Sequence, residues 1–136
     1  MVRVMLDTSY RQMLLAPVDD HPVIPVDDTS LGVVGPDKRA LNISLGIRDG
    51  RVRVDITTDP NAELEGGFED EADFVLAINA ELWLSGWDDA YAVFTPDRPG
   101  AHHVRVQARG RRNHSDESVV KKKPVEFYQL AIWPVG

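Results

Sequence analysis

The fold class is decided by "LNISLGIRDGRVRVDITT", residues 41–58, in which apolar and polar side chains alternate along most of the stretch. Alternation with period two places the apolar side chains on one face of a β-strand. The series breaks at Asp49-Gly50, a pair that tolerates the positive φ angles of a type I′ turn. We therefore predict a β-hairpin with a tight turn at this pair. The side chains predicted to be buried are Leu41, Ile43, Leu45, Val52, Val54 and Ile56.

Further strands are predicted on both sides of this stretch. "DFVLAINAELWLS", residues 73–85, carries apolar side chains at its even positions, which favours one long strand over the helix that Ala, Glu and Leu would also allow. Prolines and an Asp in "TPDRPG" predict a turn after the strand that follows. The other predicted strands are Val2–Leu6, Tyr10–Leu15, Ala90–Thr95, His103–Arg109 and Val125–Trp133.

Residues 16–38 hold four of the nine prolines together with several Asp residues, and they predict a loop with short extended pieces such as Val23–Val26. Many strands joined by turn-rich links, without a long helix, are typical of an antiparallel β-sandwich or barrel. We predict an all-β antiparallel sandwich in which residues 1–136 form a single domain, a length that supports one core.

Composition excludes several classes of protein. The chain has no cysteine, so disulfides, thiolate metal sites and thiol nucleophiles are absent. No apolar run approaches the roughly 20 residues of a spanning helix, and the first ten residues lack a signal-peptide pattern. We therefore expect a cytoplasmic protein without membrane contact. A net charge of −7 opposes general affinity for nucleic acid.

The charges are unevenly distributed along the chain. Residues 59–73 contain seven acids and no base, whereas residues 105–123 contain seven bases and two acids. Arg105 and Arg109 alternate with Val104, Val106 and Ala108, so we interpret them as the outward face of a strand whose other face is core. A nucleic-acid-binding role for this basic segment is the competing hypothesis.

Catalytic signatures are scarce. No paired histidines at metal-ligand spacing, nucleophile elbow, phosphate-binding loop or dinucleotide fingerprint is present, and the Asp doublets are typical of turns. We expect no enzymatic activity and no cofactor or metal. An enzyme whose site is assembled in space, for example around Asp19 and His21, remains an alternative.

Two features indicate a partner-binding surface. Trp87 lies in the turn "GWDD", where its indole can be exposed and act as an interface anchor. The acidic run can form an anionic surface loop that meets a basic protein, with Gly66-Gly67 letting it adapt its shape. The candidate partner-binding residues are Glu63, Glu65, Glu69, Asp70, Glu71, Asp73 and Trp87.

The order of features resembles the competence protein J group, which are inhibitors of a DNA-entry nuclease. The resemblance is carried by "SYRQ" at residues 9–12, "YAVFTPDRPGAHHVRVQARG" at residues 91–110 and the closing "EFYQLAIWP". The last two stretches are also similar to those of a set of uncharacterised actinobacterial proteins. The resemblance implies a β-sandwich fold and a non-catalytic, protein-binding role, and it supplies no catalytic residue.

The expected function is thus a protein-binding module, monomeric or homodimeric, whose partner is a protein such as a basic nuclease or toxin. An acidic surface can mimic the charge of nucleic acid and speed encounter with a basic cleft. The alternative is a small-ligand or carbohydrate-binding sandwich. A ligand binder should have a concave apolar site near Trp87, whereas an inhibitor should present a flat charged surface.

Overall fold

A computed structural model describes residues 1–20, 22–27, 29–112 and 124–136. All regular structure in these ranges is β, which confirms the all-β prediction, and no helix long and apolar enough to cross a membrane occurs in them. The strands, in chain order, are β1 Val2–Thr8, β2 Gln12–Pro17, β3 Gly32–Val34, β4 Leu41–Ser44, β5 Gly50–Thr57, β6 Asp70–Ile78, β7 Leu82–Ser85, β8 Ala90–Phe94, β9 Gly100–Arg109 and β10 Glu126–Pro134.

The strands form two five-stranded sheets that face each other as a sandwich. The first sheet has the order β1-β5-β10-β9-β6, and the second has the order β3-β4-β2-β7-β8. Strand pairs are antiparallel except β5 and β10, which run parallel with Tyr128 opposite Val54. The sandwich prediction is confirmed, and the parallel pair makes the first sheet mixed rather than purely antiparallel.

The predicted hairpin at Asp49-Gly50 is wrong. β4 lies in the second sheet and β5 in the first, and the chain bends between them at residues 46–48. β1 and β2 cross between the sheets in the same way, so β1 pairs with β5 while β2 pairs with β4. The two crossings are hydrogen-bonded to each other, from Arg11 N to Arg48 O at 3.1 Å and from Leu45 N to Arg11 O at 2.8 Å.

The burial predicted for this stretch is confirmed although the pairing is not. Leu41, Ile43 and Leu45 on one side, and Val52, Val54 and Ile56 on the other, are all buried in one core cluster. Both sheets present their inner faces to that core, so the same alternation buries the same side chains in either sheet. Period two therefore reports which face is inside and says nothing about the neighbouring strand.

The predicted long strand at residues 73–85 is also wrong, because it is divided between the sheets. β6 is an edge strand of the first sheet, β7 belongs to the second, and Asn79, Ala80 and Glu81 connect them on the surface. A further correction concerns residues 16–38, where Gly32–Val34 forms the edge strand β3 while Val23–Val26 forms no strand. Ile24 instead packs on the outer face of the second sheet, against Ala16 and Ala40.

Candidate functional site

The turn at Trp87 connects β7 to β8 and is fixed to the end of β1. Gly86 N donates to Asp89 O at 2.9 Å, Trp87 N donates to Asp7 O at 3.1 Å, and Asp7 N donates to Asp89 Oδ2 at 3.1 Å. A Cβ atom on Gly86 would collide with Asp7 O, so glycine is required for this close approach. These contacts fix the position of the turn, and with it Trp87, relative to β1.

The indole of Trp87 is 62% exposed and meets the ring of Tyr10, which is 55% exposed. Their ring centroids are 4.8 Å apart with the planes at 63°, the edge-to-face arrangement that aromatic pairs prefer. The predicted strand Tyr10–Leu15 begins later, at Gln12, so Tyr10 is not part of a strand. It lies in the turn between β1 and β2 with a φ of 59°, and Arg11 has the same φ. This left-handed backbone is uncommon for such residues and directs the Tyr10 ring towards Trp87.

Beside the aromatic pair is a groove of about 340 Å³, which we call the Trp87 groove. Trp87 and Val23, which is 98% exposed, both line it. Its floor is the outer face of the second sheet, where Asn42 Nδ2 donates to Gln12 Oε1 and to Ile24 O, each at 3.0 Å. The groove therefore combines exposed apolar walls with an ordered amide floor.

Two carboxylates, Asp88 and Asp7, belong to the Trp87 turn and to the end of β1 that it contacts. Asp88 is exposed, and no described residue forms an ion pair with it. Asp7 pairs with Arg51 through Nε at 2.9 Å, and this contact raises the pKa of the arginine. The result is an exposed apolar centre beside charged groups, the composition that protein interfaces show.

The candidate acidic residues are divided between the segment that precedes β6 and β6 itself. Glu63, Glu65 and Glu69 lie in the segment between β5 and β6, as predicted. The expectation that the whole run is a loop is wrong, because Asp70–Ile78 forms β6 and takes Asp70, Glu71 and Asp73 into an edge strand. Edge strands are commonly protected from unwanted pairing by such charges.

Several of these acids are engaged within the molecule. Asp70 pairs with Arg112 at 2.6 Å and with Arg111 at 3.4 Å, and Glu65 pairs with Arg3 at 3.2 Å. Glu71 Oε2 accepts from Gln107 at 2.7 Å, and Glu69 Oε1 accepts from Gly110 N at 2.7 Å. By contrast, Glu63 and Asp73 are exposed and contact no described residue through their carboxylates.

Two arginines of β9 hydrogen-bond the segment between β5 and β6 and attach it to the first sheet. As predicted, Arg105 and Arg109 lie on the face of the first sheet that points away from the core. Arg105 Nη2 donates to Pro60 O at 2.6 Å and to Ala62 O at 3.0 Å, while Arg109 Nη1 donates to Glu65 O at 2.7 Å and to Gly67 O at 2.8 Å. Their guanidinium groups also stack over Trp133 and Phe127. The basic strand holds the acidic segment in place.

Residues 59–69 thus form a third layer over the first sheet, which we call the covering segment. Leu64 of this segment is buried, and its N–H donates to Gln107 Oε1 of the sheet at 2.8 Å. Gln129, opposite Gln107 in the sheet, donates to Ala62 O at 2.9 Å. Gly66 and Gly67 have φ angles of 88° and 92°, so they fix one turn here rather than provide adaptability.

The structure does not bring Trp87 and the acidic run together. Trp87 is docked on β1, at one edge of the first sheet, whereas Asp70 and Asp73 lie on β6 at the other edge, with β5, β10 and β9 between them. In the described ranges, no group of three His, Asp or Glu residues could hold a metal ion. His21, the residue proposed for a metal site with Asp19, lies outside those ranges, as does most of the basic loop 110–123.

Sequence reasoning identified Trp87 but missed Tyr10, Gln12, Val23 and Asn42. These side chains come from the β1–β2 turn, two strands and the segment before β3, and only folding assembles them. No motif links them in the sequence. The one available signal was "SYRQ" at residues 9–12, which contributed only to the family resemblance.

Comparison with solved structures shows what this fold is similar to. The crystal structure of ComJ from Bacillus subtilis, an inhibitor of the DNA degrading activity of NucA, matches with a TM-score of 0.70 at 10% identity, over 99% of this chain and 96% of that one. The protein named crocagin biosynthetic gene J matches with a TM-score of 0.48 at 11% identity, over 97% and 95%. No family model and no curated protein matches. Likeness at such identity shows the fold alone, and the expected similarity to actinobacterial proteins finds no support in these comparisons.

Proposed function

We propose that this chain is a non-catalytic protein-binding module that inhibits a nuclease, and that the Trp87 groove is its main contact surface. The observation that carries the proposal is the exposure of Val23 and Trp87 along one groove, with the exposed Tyr10 packed against Trp87. Clustered exposed apolar side chains on a rigid support are typical of protein interaction sites.

Two further observations support this proposal. ComJ, whose fold this chain shares, is an inhibitor of a DNA-degrading activity. The net charge of −7 and the carboxylate of Asp88 near the groove suit a basic partner, because opposite charges speed diffusional encounter.

The acidic run is proposed as a second contact that steers this partner. Glu63 and Asp73 are exposed with no described partner, so their charge is fully available. Glu65, Glu69, Asp70 and Glu71 also make internal contacts, and we expect them to contribute less to steering. Neutralising Glu63 and Asp73 together should slow association, and the effect should shrink as salt is added.

The proposal is tested by measuring DNA degradation by nuclease fractions of the native host with and without the purified protein. We expect inhibition by the wild type, and Trp87→Ala should weaken it about 30-fold, as for the loss of an interface hot spot. Met5→Ala, an exposed apolar side chain on the outer face of the first sheet, is the matched control and should inhibit normally. If the protein inhibits none of the fractions, its partner is not a nuclease and the proposal is wrong.

A second candidate function, binding of a carbohydrate or another small ligand, is favoured by the groove itself. Its volume of about 340 Å³ lies in the range of ligand pockets, and Trp87 with the Gln12 and Asn42 amides offers stacking and hydrogen bonding. Ligand-observed NMR with a panel of mono- and oligosaccharides separates the candidates. Binding that is lost in Trp87→Ala, without inhibition of any nuclease, would favour this second function.

A further inference from the structure

A second cleft opens at the end of the sandwich opposite the Trp87 groove. β8 begins beside the Trp87 turn and ends in this cleft at Phe94, so the two sites lie at opposite ends of one strand. The cleft has a volume of about 620 Å³, and both sheets contribute to it, since Val93 lies on β8 and Ile132 on β10. Its size is that of a small-molecule pocket.

His102 is the buried polar group of this cleft. It is only 2% exposed, and its ring packs edge-to-face against Phe94 at 5.7 Å. Nδ1 lies 2.8 Å from the carbonyl oxygen of Gly100. Because a carbonyl can only accept, Nδ1 carries the proton, and Nε2 of the neutral ring is an acceptor.

Nε2 of His102 has no hydrogen-bond partner among the described residues. Although the residue as a whole is buried, Nε2 is not among the buried polar atoms that lack a partner in the described residues, so it stays accessible and can accept a hydrogen bond from a molecule in the cleft. Apolar side chains also line the cleft: Phe94 is half-buried, and Val93 and Ile132 are buried. A ligand that carries both a donor group and an apolar body fits this lining.

Arg98 defines the mouth of the cleft. It lies in the loop between β8 and β9, is exposed, and forms no ion pair with any described residue. A guanidinium binds a carboxylate through two parallel hydrogen bonds. Asp97, its exposed neighbour in the same lining, can accept from a cationic group.

We propose that this cleft binds a small organic acid that carries a hydrogen-bond donor next to its carboxylate and an apolar body, that is, an apolar 2-hydroxy or 2-amino acid. The carboxylate binds Arg98, the 2-hydroxyl or 2-amino group donates to Nε2 of His102, and the apolar body packs against Phe94. The proposal is independent of the nuclease-inhibitor function, because the cleft and the Trp87 groove share no lining residue.

The test is a titration of the isotope-labelled protein, followed by amide and imidazole NMR shifts, with 3-phenyllactate and phenylalanine as probes. Two matched compounds are the controls: 3-phenylpropionate lacks the donor and 2-phenylethanol lacks the carboxylate. We expect shifts at the cleft residues with at least one probe, and binding about tenfold weaker for both control compounds.

Variants connect the binding to the named residues. Arg98→Ala, at an exposed position that does not affect folding, should weaken probe binding about tenfold, whereas Arg48→Ala, an exposed arginine elsewhere, should leave it unchanged. His102→Asn keeps a donor for Gly100 O but lacks Nε2, and it should abolish the preference for the probe over 3-phenylpropionate. The proposal is overturned if no cleft residue shifts with either probe at about 10 mM, or if the control compounds bind equally well.

Discussion

At the scale of single residues, Glu126 and Tyr128 form a buried polar pair that joins β10 to the crossing between the sheets. Glu126 Oε1 accepts from Tyr128 OH at 2.6 Å and from Gly46 N at 2.9 Å, and both side chains are completely buried. A Cβ atom on Gly46 would collide with Arg111 O, so this bend requires glycine. The pair satisfies the backbone of a bend that the core encloses.

Tyr128→Phe should destabilise the protein at pH 7 by about 1–3 kcal/mol, because it removes a donor from the buried Glu126. Burial, together with the charge of Glu126, raises the pKa of Tyr128 well above its usual 10.0. The unfolded chain therefore loses this proton first as pH rises. The stability contributed by Tyr128 is fully present below pH 10 and falls by about 1.4 kcal/mol per pH unit between its unfolded and folded pKa.

The measurement is the free energy of unfolding from denaturant titrations of wild type and Tyr128→Phe between neutral and alkaline pH. Their difference should shrink above the ordinary tyrosine pKa, because the phenylalanine variant lacks the titrating group. Tyr10→Phe, at an exposed position, is the control and should track the wild type. A difference that stays constant with pH would contradict the assigned burial.

Ile43 tests the parity of the alternating stretch. It is fully buried in the core cluster, on β4 opposite Met13 of β2. Ile43→Ala should cost about 2–5 kcal/mol of unfolding free energy, through lost apolar contact and the cavity that remains. Thermal or denaturant unfolding measures this loss, and a cost near zero would mean that Ile43 faces solvent.

At the scale of elements, the covering segment shows how a strand of basic residues and a run of acids are used together. Arg109 donates to two carbonyl oxygens of this segment and stacks on Phe127 at 4.5 Å. Because Arg109 bonds backbone oxygens, its attachment to the covering segment depends on the backbone conformation of that segment more than on the acidic side chains. Gly66, whose Cβ atom would collide with the Arg109 guanidinium, is part of that shape.

Arg109→Ala should release the covering segment without unfolding the sandwich. Hydrogen exchange at residues 62–67 should become about tenfold faster or more, because two charge-assisted hydrogen bonds are lost. Core amides of β9 and β10 should exchange as before. Arg39→Ala, at an exposed arginine away from this segment, is the control; equal exchange in both variants would show that Arg109 does not hold the segment.

At the scale of the whole molecule, the arrangement of charges opposes binding to DNA. The net charge is −7, and Arg105 and Arg109, the bases that alternation exposes on β9, are occupied by carbonyl oxygens and aromatic rings. We expect no appreciable binding to duplex DNA at physiological salt. A gel shift with a micromolar midpoint and a steep salt dependence would contradict this and favour the nucleic-acid hypothesis for the basic segment.

The site could be predicted only in part. Trp87 was found because Gly, Trp and two Asp residues in succession mark a turn, and a turn exposes its side chains. Tyr10 and Val23 could not be found, since their exposure beside Trp87 depends on β1 docking to the turn and on the segment before β3 crossing the sheet. The sequence showed that residues 59–73 are acidic. It did not show that Glu65 and Asp70 form ion pairs, because their partners Arg3, Arg111 and Arg112 are remote in sequence.

The sequence by itself determined the β class, most strand positions and the inward face of the strands within residues 41–58, 73–85 and 103–109, because alternation and turn residues act locally. Only the tertiary structure decided which strands pair. The break at Asp49-Gly50 indicated a hairpin, yet the core accepts the same side chains from either sheet, and the chain crosses at residues 46–48 so that β4 and β5 both find longer-range partners. Pairing and charge compensation depend on residues far apart in the chain, and no local pattern records them.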